Sequence, residues 1–270
     1  MRTVFAAFMW LVATASLTVA IGAGWAATHV QEEAGFVTMG ARLGDDPRVQ
    51  DAAADLAGEA FADQPGVPAA LNDPVAEAMS RAIGRLTSSS GWDDAWRETV
   101  RDTHQRLFAE PTPTDVRVDV APIAAVAVDE VTRMLPIPVR NPDELVVVVN
   151  EDDPTTFVKV ASRADSVAST SAVVAAVAAL LALVAARRRS SMLVSLGLGA
   201  VLAAAAWWLA GRLALPRLLE RGGEATASGR ALVDVVTERV VVSLDATLVW
   251  VALAGLVVAG LGLASRALRS

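Results

Sequence analysis

The sequence predicts a mainly α-helical protein, with four transmembrane helices and an extracytoplasmic, mostly helical domain (α+β minor) between the first and second. Three observations carry that prediction. Four stretches are long and apolar enough to cross a bilayer, most of the acidic charge lies between positions 28 and 165, and the apolar residues in that interval recur mainly at helical spacing. The organisation follows as an amino-terminal anchor at 1–27, an acidic domain at 28–165 and a three-helix membrane bundle at 166–270.

A spanning helix needs about 20 mostly apolar residues, and positions 4–27, 166–186, 192–215 and 244–264 each provide them. Arg2 before the first stretch and small residues Gly24 and Ala26 near its end are also marks of a cleaved signal peptide. A signal core is usually about 7–15 residues, so the longer run here reads as an uncleaved anchor. The second stretch opens on Ser166, Ser169, Thr170 and Ser171 and stops at Arg187-Arg188-Arg189.

Basic residues beside the spans set the expected orientation. Arg2, Arg187 to Arg189, Arg266 and Arg269 fall on one side if four spans alternate, which makes both termini and the turn at 187–191 cytoplasmic. The interval 28–165 and the loop 216–243 then face outward, although that loop holds Arg217, Arg221, Arg230 and Arg239 beside Glu220, Glu224, Asp234 and Glu238. Trp25 and the pair Trp207-Trp208 land at the outer interface, where aromatic belts sit.

Positions 28–165 carry 25 acidic and 12 basic residues, a net of −13, and the remainder carries 5 and 11, a net of +6, which together give −7. An acidic surface repels nucleic acid, so none is expected as a partner, while cations and basic protein surfaces fit. The absence of cysteine excludes disulfides, thiolate metal sites and thiol catalysis. Arginine outnumbers lysine 22 to 1 and Ala and Val dominate the apolar set, a pattern that fits a high-GC coding bias.

Within the acidic domain, Asp45-Asp46-Pro47, Asn72-Asp73-Pro74 and Asp152-Asp153-Pro154 each read as a helix start. The carboxylate or amide accepts from first-turn amides, and proline at the first helical position loses no needed donor. Calcium is the rival use of such pairs, but they lack the alternating oxygen ligands and glycine turn of a known loop. Helical spacing follows in Val49, Ala53, Leu56 and Ala60, and again in Val75, Met79, Ala82, Ile83 and Leu86. A third helix over 92–109 aligns Trp92, Trp96, Val100, His104 and Leu107, with Asp93, Asp94, Arg97, Glu98 and Arg101 turned away, and a fourth amphipathic segment covers 33–43. Val116, Val118 and Val120 alternate with Arg117 and Asp119 as in a half-buried strand. The helical pattern at 123–135 and the β-branched run at 145–149 suggest a strand, helix, strand unit with two parallel strands.

No helix breaker occurs between Pro154 and the Arg187 cluster, so one helix of about 33 residues, roughly 50 Å, is expected to enter the second span. Positions 226–264 repeat the design, with Leu232, Val235, Val236 and Val240 leading into the fourth span. Small residues promise close helix packing: Ala175, Ala178, Ala179, Ala182 and Ala186 on the second span, Ser195 and Gly199 on the third, Gly255 and Ala259 on the fourth.

Chemistry-bearing residues are few. The two histidines, His29 and His104, lie at no metal-binding spacing, and the serine-elbow, phosphate-loop, dinucleotide and zincin motifs are all missing. The reading is therefore non-enzymatic, with no cofactor, metal or catalytic residue expected. Trp92, Trp96 and His104 stand out as interaction or structural-polar candidates, as do Arg212 and Asp245 at the outer ends of the third and fourth spans. An Arg212–Asp245 pair would hold two helices together.

The order of these features resembles an uncharacterised actinobacterial integral membrane protein family. The resemblance runs from Phe36-Val37 through Leu43-Gly44-Asp45-Asp46-Pro47-Arg48-Val49-Gln50-Asp51 and a helix like positions 92–107, with its Trp96 and His104. It continues through a strand like 116–120 to a carboxy-terminal hairpin and final span. It implies an amino-terminal span, an extracytoplasmic helical domain and a carboxy-terminal three-helix segment, and brings no catalytic residues. The function expected is that of an envelope scaffold or interaction protein, anchored in the lipid bilayer and presenting its outer domain to a protein or cell-wall partner. The alternative is a transporter or channel accessory subunit that uses the polar outer ends of spans three and four.

Overall fold

A computed structural model describes residues 1–64, 67–109, 116–134, 145–150, 155–219 and 227–268. Among them lie α1 (Arg2–Ala26), α2 (Glu33–Ala41), α3 (Pro47–Ala62), α4 (Asn72–Leu86), α5 (Ser90–Ala109), β1 (Val116–Asp119) and α6 (Ala121–Met134). They are followed by β2 (Val146–Asn150), α7 (Thr155–Ala161), α8 (Ala164–Ala185), α9 (Arg189–Leu219) and α10 (Ala227–Ala267). The chain is mainly helical and forms two compact units, one of residues 1–31, 161–220 and 240–270, the other of residues 32–160 and 221–239.

The first unit contains four helices long and apolar enough to span a membrane: Arg2–Gln31, Ala164–Ala185, Arg189–Leu213 and Leu232–Ala267, the last beginning in the second unit. Its packing is inverted relative to a water-soluble bundle. Small side chains are buried, among them Ala6, Ala13, Ala178, Ala182, Ala203 and Ala204, while Phe8, Leu180, Leu202, Trp250, Val257 and Leu261 are exposed. Such a surface suits hydrocarbon, where helices associate by close backbone approach. A side chain at Gly197 would meet the carbonyl of Gly255, and one at Gly262 would lie 2.8 Å from the carbonyl of Ser190, so glycines set the contact of α9 with α10. Gly255 was legible as a small contact residue; Gly197 and Gly262 were not.

Two expectations are corrected here, the second only in part. The single helix from Pro154 does not form, because α7 ends at Ala161 and α8 starts at Ala164. Arg163 leaves the helical region at φ −105 and ψ 2. The Gln31 amide joins the two helix ends, donating to the Ser162 carbonyl at 3.2 Å and accepting from the Asp165 N–H at 3.0 Å. Free backbone groups at helix ends are thereby satisfied, which makes the break stable without proline or glycine. Secondly, the loop expected from position 216 instead begins in helix, since α9 continues through Pro216 to Leu219, while α10 starts at Ala227 as the helical lead-in read at 226–264 requires. Proline so near a helix end forfeits only one bond, to the carbonyl of Arg212. Trp207 packs against α1: its indole N–H donates to the Thr18 carbonyl at 2.7 Å, and Gly22 leaves room for its ring.

The second unit is built around Val49, Phe61, Met79, Ile83, Trp92, Trp96, Ile123 and Ala124, all buried, with Leu232 and Val235 of α10 packed on the same core. Asp46 caps α3 by accepting from the Arg48 N–H at 2.9 Å, and Pro47 takes the first helical position. At α4 the expected side-chain cap is not used. A 3₁₀ turn over Ala69–Leu71 runs directly into the helix, so Asn72 and Asp73 sit inside its first turn. The start at Asp152-Asp153-Pro154 lies outside the described residues. Gly58 lets α3 approach α4, since a Cβ there would lie 2.6 Å from the Ala76 carbonyl.

The strands are antiparallel, not parallel: Val118 pairs with Val147 and Asp119 with Val146. Asp119 holds the pairing in place: its carboxylate accepts from the N–H groups of both Ala121 and Leu145 at 3.0 Å and, with the Val120 N–H donating to the Leu145 carbonyl at 2.9 Å, fastens the start of β2 to the end of β1.

Candidate functional site

In the second unit, Trp92, Trp96, Val100 and His104 of the α5 stripe are buried in its own fold, and Leu107 is half-buried. The Trp92 indole N–H donates to the Gly44 carbonyl at 3.0 Å, and that of Trp96 to the Gly40 carbonyl at 2.9 Å. The two rings stack at 5.9 Å. Gly40 and Gly44 are required by this contact. A Cβ at Gly44 would lie 2.5 Å from the Trp96 ring, and one at Gly40 the same distance from a Val100 methyl. His104 is 7% exposed and lies between the rings of Phe36 at 5.0 Å and Phe108 at 4.7 Å. Trp92, Trp96 and His104 thus fasten α5 to α2 and to the turn that follows it.

The polar centre of this unit is one that periodicity missed. Asp119, 4% exposed, accepts from Arg106 at 2.9 Å on one carboxylate oxygen and from two backbone amides on the other. Alternation with Val116, Val118 and Val120 places Asp119 on the wet face with Arg117. The available signal was local: Asp119 precedes Ala121-Pro122, an acidic residue just ahead of a proline-bearing first helical turn. Nearby Asp102 has its carboxyl pushed above the ordinary range, first by burial and then by the charges of Glu98 and Asp119, against the opposing pull of Arg106 and Arg101.

Solvent meets a different chemistry. On α3, Asp51, Asp55 and Glu59 recur every fourth residue and are exposed, opposite the buried stripe of Val49, Ala53, Leu56 and Ala57. Asp55 accepts from the Ser80 hydroxyl at 2.8 Å.

In the first unit, Arg212 of α9 and Asp245 of α10 form an ion pair at 3.0 Å, with the guanidinium 5.0 Å above the ring centre of Trp208. Trp25 donates to the Ser243 hydroxyl at 3.2 Å and stacks on His29 at 5.2 Å, in the π-helical turn Ala27–Gln31 that extends α1. These contacts tie α1 to α10 and α9 to α10. Among the described residues, no group of three or more His, Asp or Glu side chains is placed to hold a metal ion.

Comparison with protein-family models, with curated proteins and with solved structures finds no match to this chain.

Proposed function

We propose that this is a multi-pass cell-membrane protein with cytoplasmic termini, whose acidic unit lies outside the cytoplasm and serves as a non-enzymatic docking module for a positively charged protein or cell-wall component. Membership of the actinobacterial membrane family belongs to the same reading. The observation that supports it best is the division of labour within the second unit. Trp92, Trp96 and His104 are engaged in internal packing, while carboxylates at Asp51, Asp55 and Glu59 are presented to solvent along one helix face. An excess of like charge favours association with basic surfaces through steering and complementarity.

The transport alternative draws on Arg212 and Asp245, whose charges are paired with each other. The open cavity between the long helices, about 520 Å³, offers a single polar side chain, Thr14, among its lining residues. Polar groups near the midplane are what a permeating ion requires.

Crosslinking in intact cells, followed by identification of the captured species, tests the docking role. Reversal of the α3 face (Asp51→Lys, Asp55→Lys, Glu59→Lys) is expected to abolish capture, and Asp245→Asn to preserve it. Capture that survives the triple reversal defeats the proposal, as does an ion or solute flux in proteoliposomes that Asp245→Asn eliminates.

A further inference from the structure

The opposite end of the membrane unit carries a cavity that none of the preceding roles uses. It measures about 390 Å³ and lies between the start of α1, the connection after α8 and the start of α9. Ala6, Ala7, Trp10 and Met192 give it an apolar floor, and Arg187 and Arg188 stand at its edge with the hydroxyl-bearing Ser191. The Trp10 indole N–H is already engaged by the Ser195 carbonyl at 2.7 Å, so that ring serves as wall.

Arg187, Arg188 and Arg189 are exposed, and none has an ion-pair partner among the described residues. This distinguishes them from Arg48, Arg101, Arg106 and Arg212, each of which faces a carboxylate. Their neighbours do nothing to neutralise them. The first turn of α9 contains no acidic residue, and its leading amides have no helical acceptor. Two unpaired guanidinium groups beside a concave apolar surface, at the end of a membrane helix bundle, complement a phosphate that is covalently joined to an acyl chain. A free phosphate would leave the apolar floor unused, and an uncharged lipid would leave the arginines unpaired.

We propose that this cavity is a binding site for one anionic phospholipid, whose phosphate is held by Arg187 and Arg188 and whose upper acyl chain lies against Ala7, Trp10 and Met192. The proposal rests on the membrane-spanning reading of the four long helices. It adds a specific lipid contact at the α8–α9 connection, where diffuse attraction of basic residues to a charged membrane would require no cavity.

Native mass spectrometry of the full-length protein in mild detergent, titrated with phosphatidylglycerol or phosphatidylcholine of identical chains, tests it. Retention of phosphatidylglycerol is expected to exceed that of phosphatidylcholine by roughly tenfold or more, and Arg187→Gln with Arg188→Gln to remove the preference. Arg266→Gln, which alters a basic residue outside the cavity, is expected to leave it unchanged. Ala7→Leu narrows the floor without touching charge and is expected to weaken phosphatidylglycerol retention. The proposal is overturned if the double variant keeps the preference, if Arg266→Gln reduces it equally, or if excess inorganic phosphate displaces the lipid. Failure of the underlying membrane reading has a separate signature: carbonate washing would release the protein from membranes without detergent.

Discussion

Thr99 is 2% exposed and its hydroxyl has no hydrogen-bond partner among the described residues, in a helix whose other inward groups are satisfied. A buried hydroxyl without a partner costs free energy that its near-isostere valine avoids. Thr99→Val is therefore expected to stabilise the folded protein by roughly 1 kcal/mol, measured as a rise in denaturation midpoint; a fall would mean that the hydroxyl is engaged. Asp119 is the opposite case. Asp119→Ala removes three hydrogen bonds at once and orphans the Ala121 and Leu145 amides, so a loss of roughly 2–4 kcal/mol is expected, moderated because Arg106 is partly exposed. Asp102 gives a pH dependence. Its carboxyl is held above its ordinary 3.8, first by burial, so the folded state favours the neutral form. Its contribution is most favourable at pH values below the unfolded carboxyl's range. It declines as pH climbs toward the raised folded value, then levels off. Asp102→Asn is expected to raise the thermal midpoint at neutral pH and to flatten that decline; an unchanged profile would remove Asp102 as its source. Trp92, Trp96 and His104 could be read from a four-residue spacing because a helix stripe needs only sequence distance. Asp119 could not, since its role depends on Leu145, 26 positions away.

Close approach governs the elements. Gly197 and Gly255 face each other across α9 and α10 so tightly that an added methyl on either would meet the partner's backbone, whereas Gly211 has open space around it. Gly197→Ala is expected to destabilise the bundle by roughly 1–3 kcal/mol, because backbone cannot yield as a flexible side chain does. Gly211→Ala is expected to be neutral or to gain up to about 1 kcal/mol from helix propensity. Equal midpoints for the two variants in detergent would show that the glycine contact is not limiting. The four long apolar helices were legible in sequence because length and hydropathy are local properties. The interruption between α7 and α8 was not, because it is imposed by Gln31, 131 positions from the carbonyl it binds. Strand direction escaped for the same reason: a crossover helix permits a parallel pair, and the contacts that accompany the antiparallel one, from Asp119 and Val120 to Leu145, are long-range.

For the molecule as a whole, charge is the organising quantity. Positions 28–165 hold a net −13 and the remainder +6, and basic residues beside spans are retained in the cytoplasm far more often than they are exported. The same asymmetry underlies both proposals, since the acidic face can meet an external partner, and the arginine-rimmed cavity a cytoplasmic-leaflet lipid, only in one orientation. The sequence contains no cysteine, so a single introduced thiol reports its own compartment without background. Asp55→Cys on α3 and Arg189→Cys at the start of α9 occupy exposed positions. In intact cells a membrane-impermeant maleimide is expected to label Asp55→Cys and to reach Arg189→Cys only after permeabilisation. The reverse pattern would place the acidic unit in the cytoplasm and remove the envelope-docking role, while leaving the phosphate chemistry of the cavity to act on the outer leaflet. Labelling of both positions in intact cells would refute the odd number of spans between them, and with it the alternating arrangement of the four long helices.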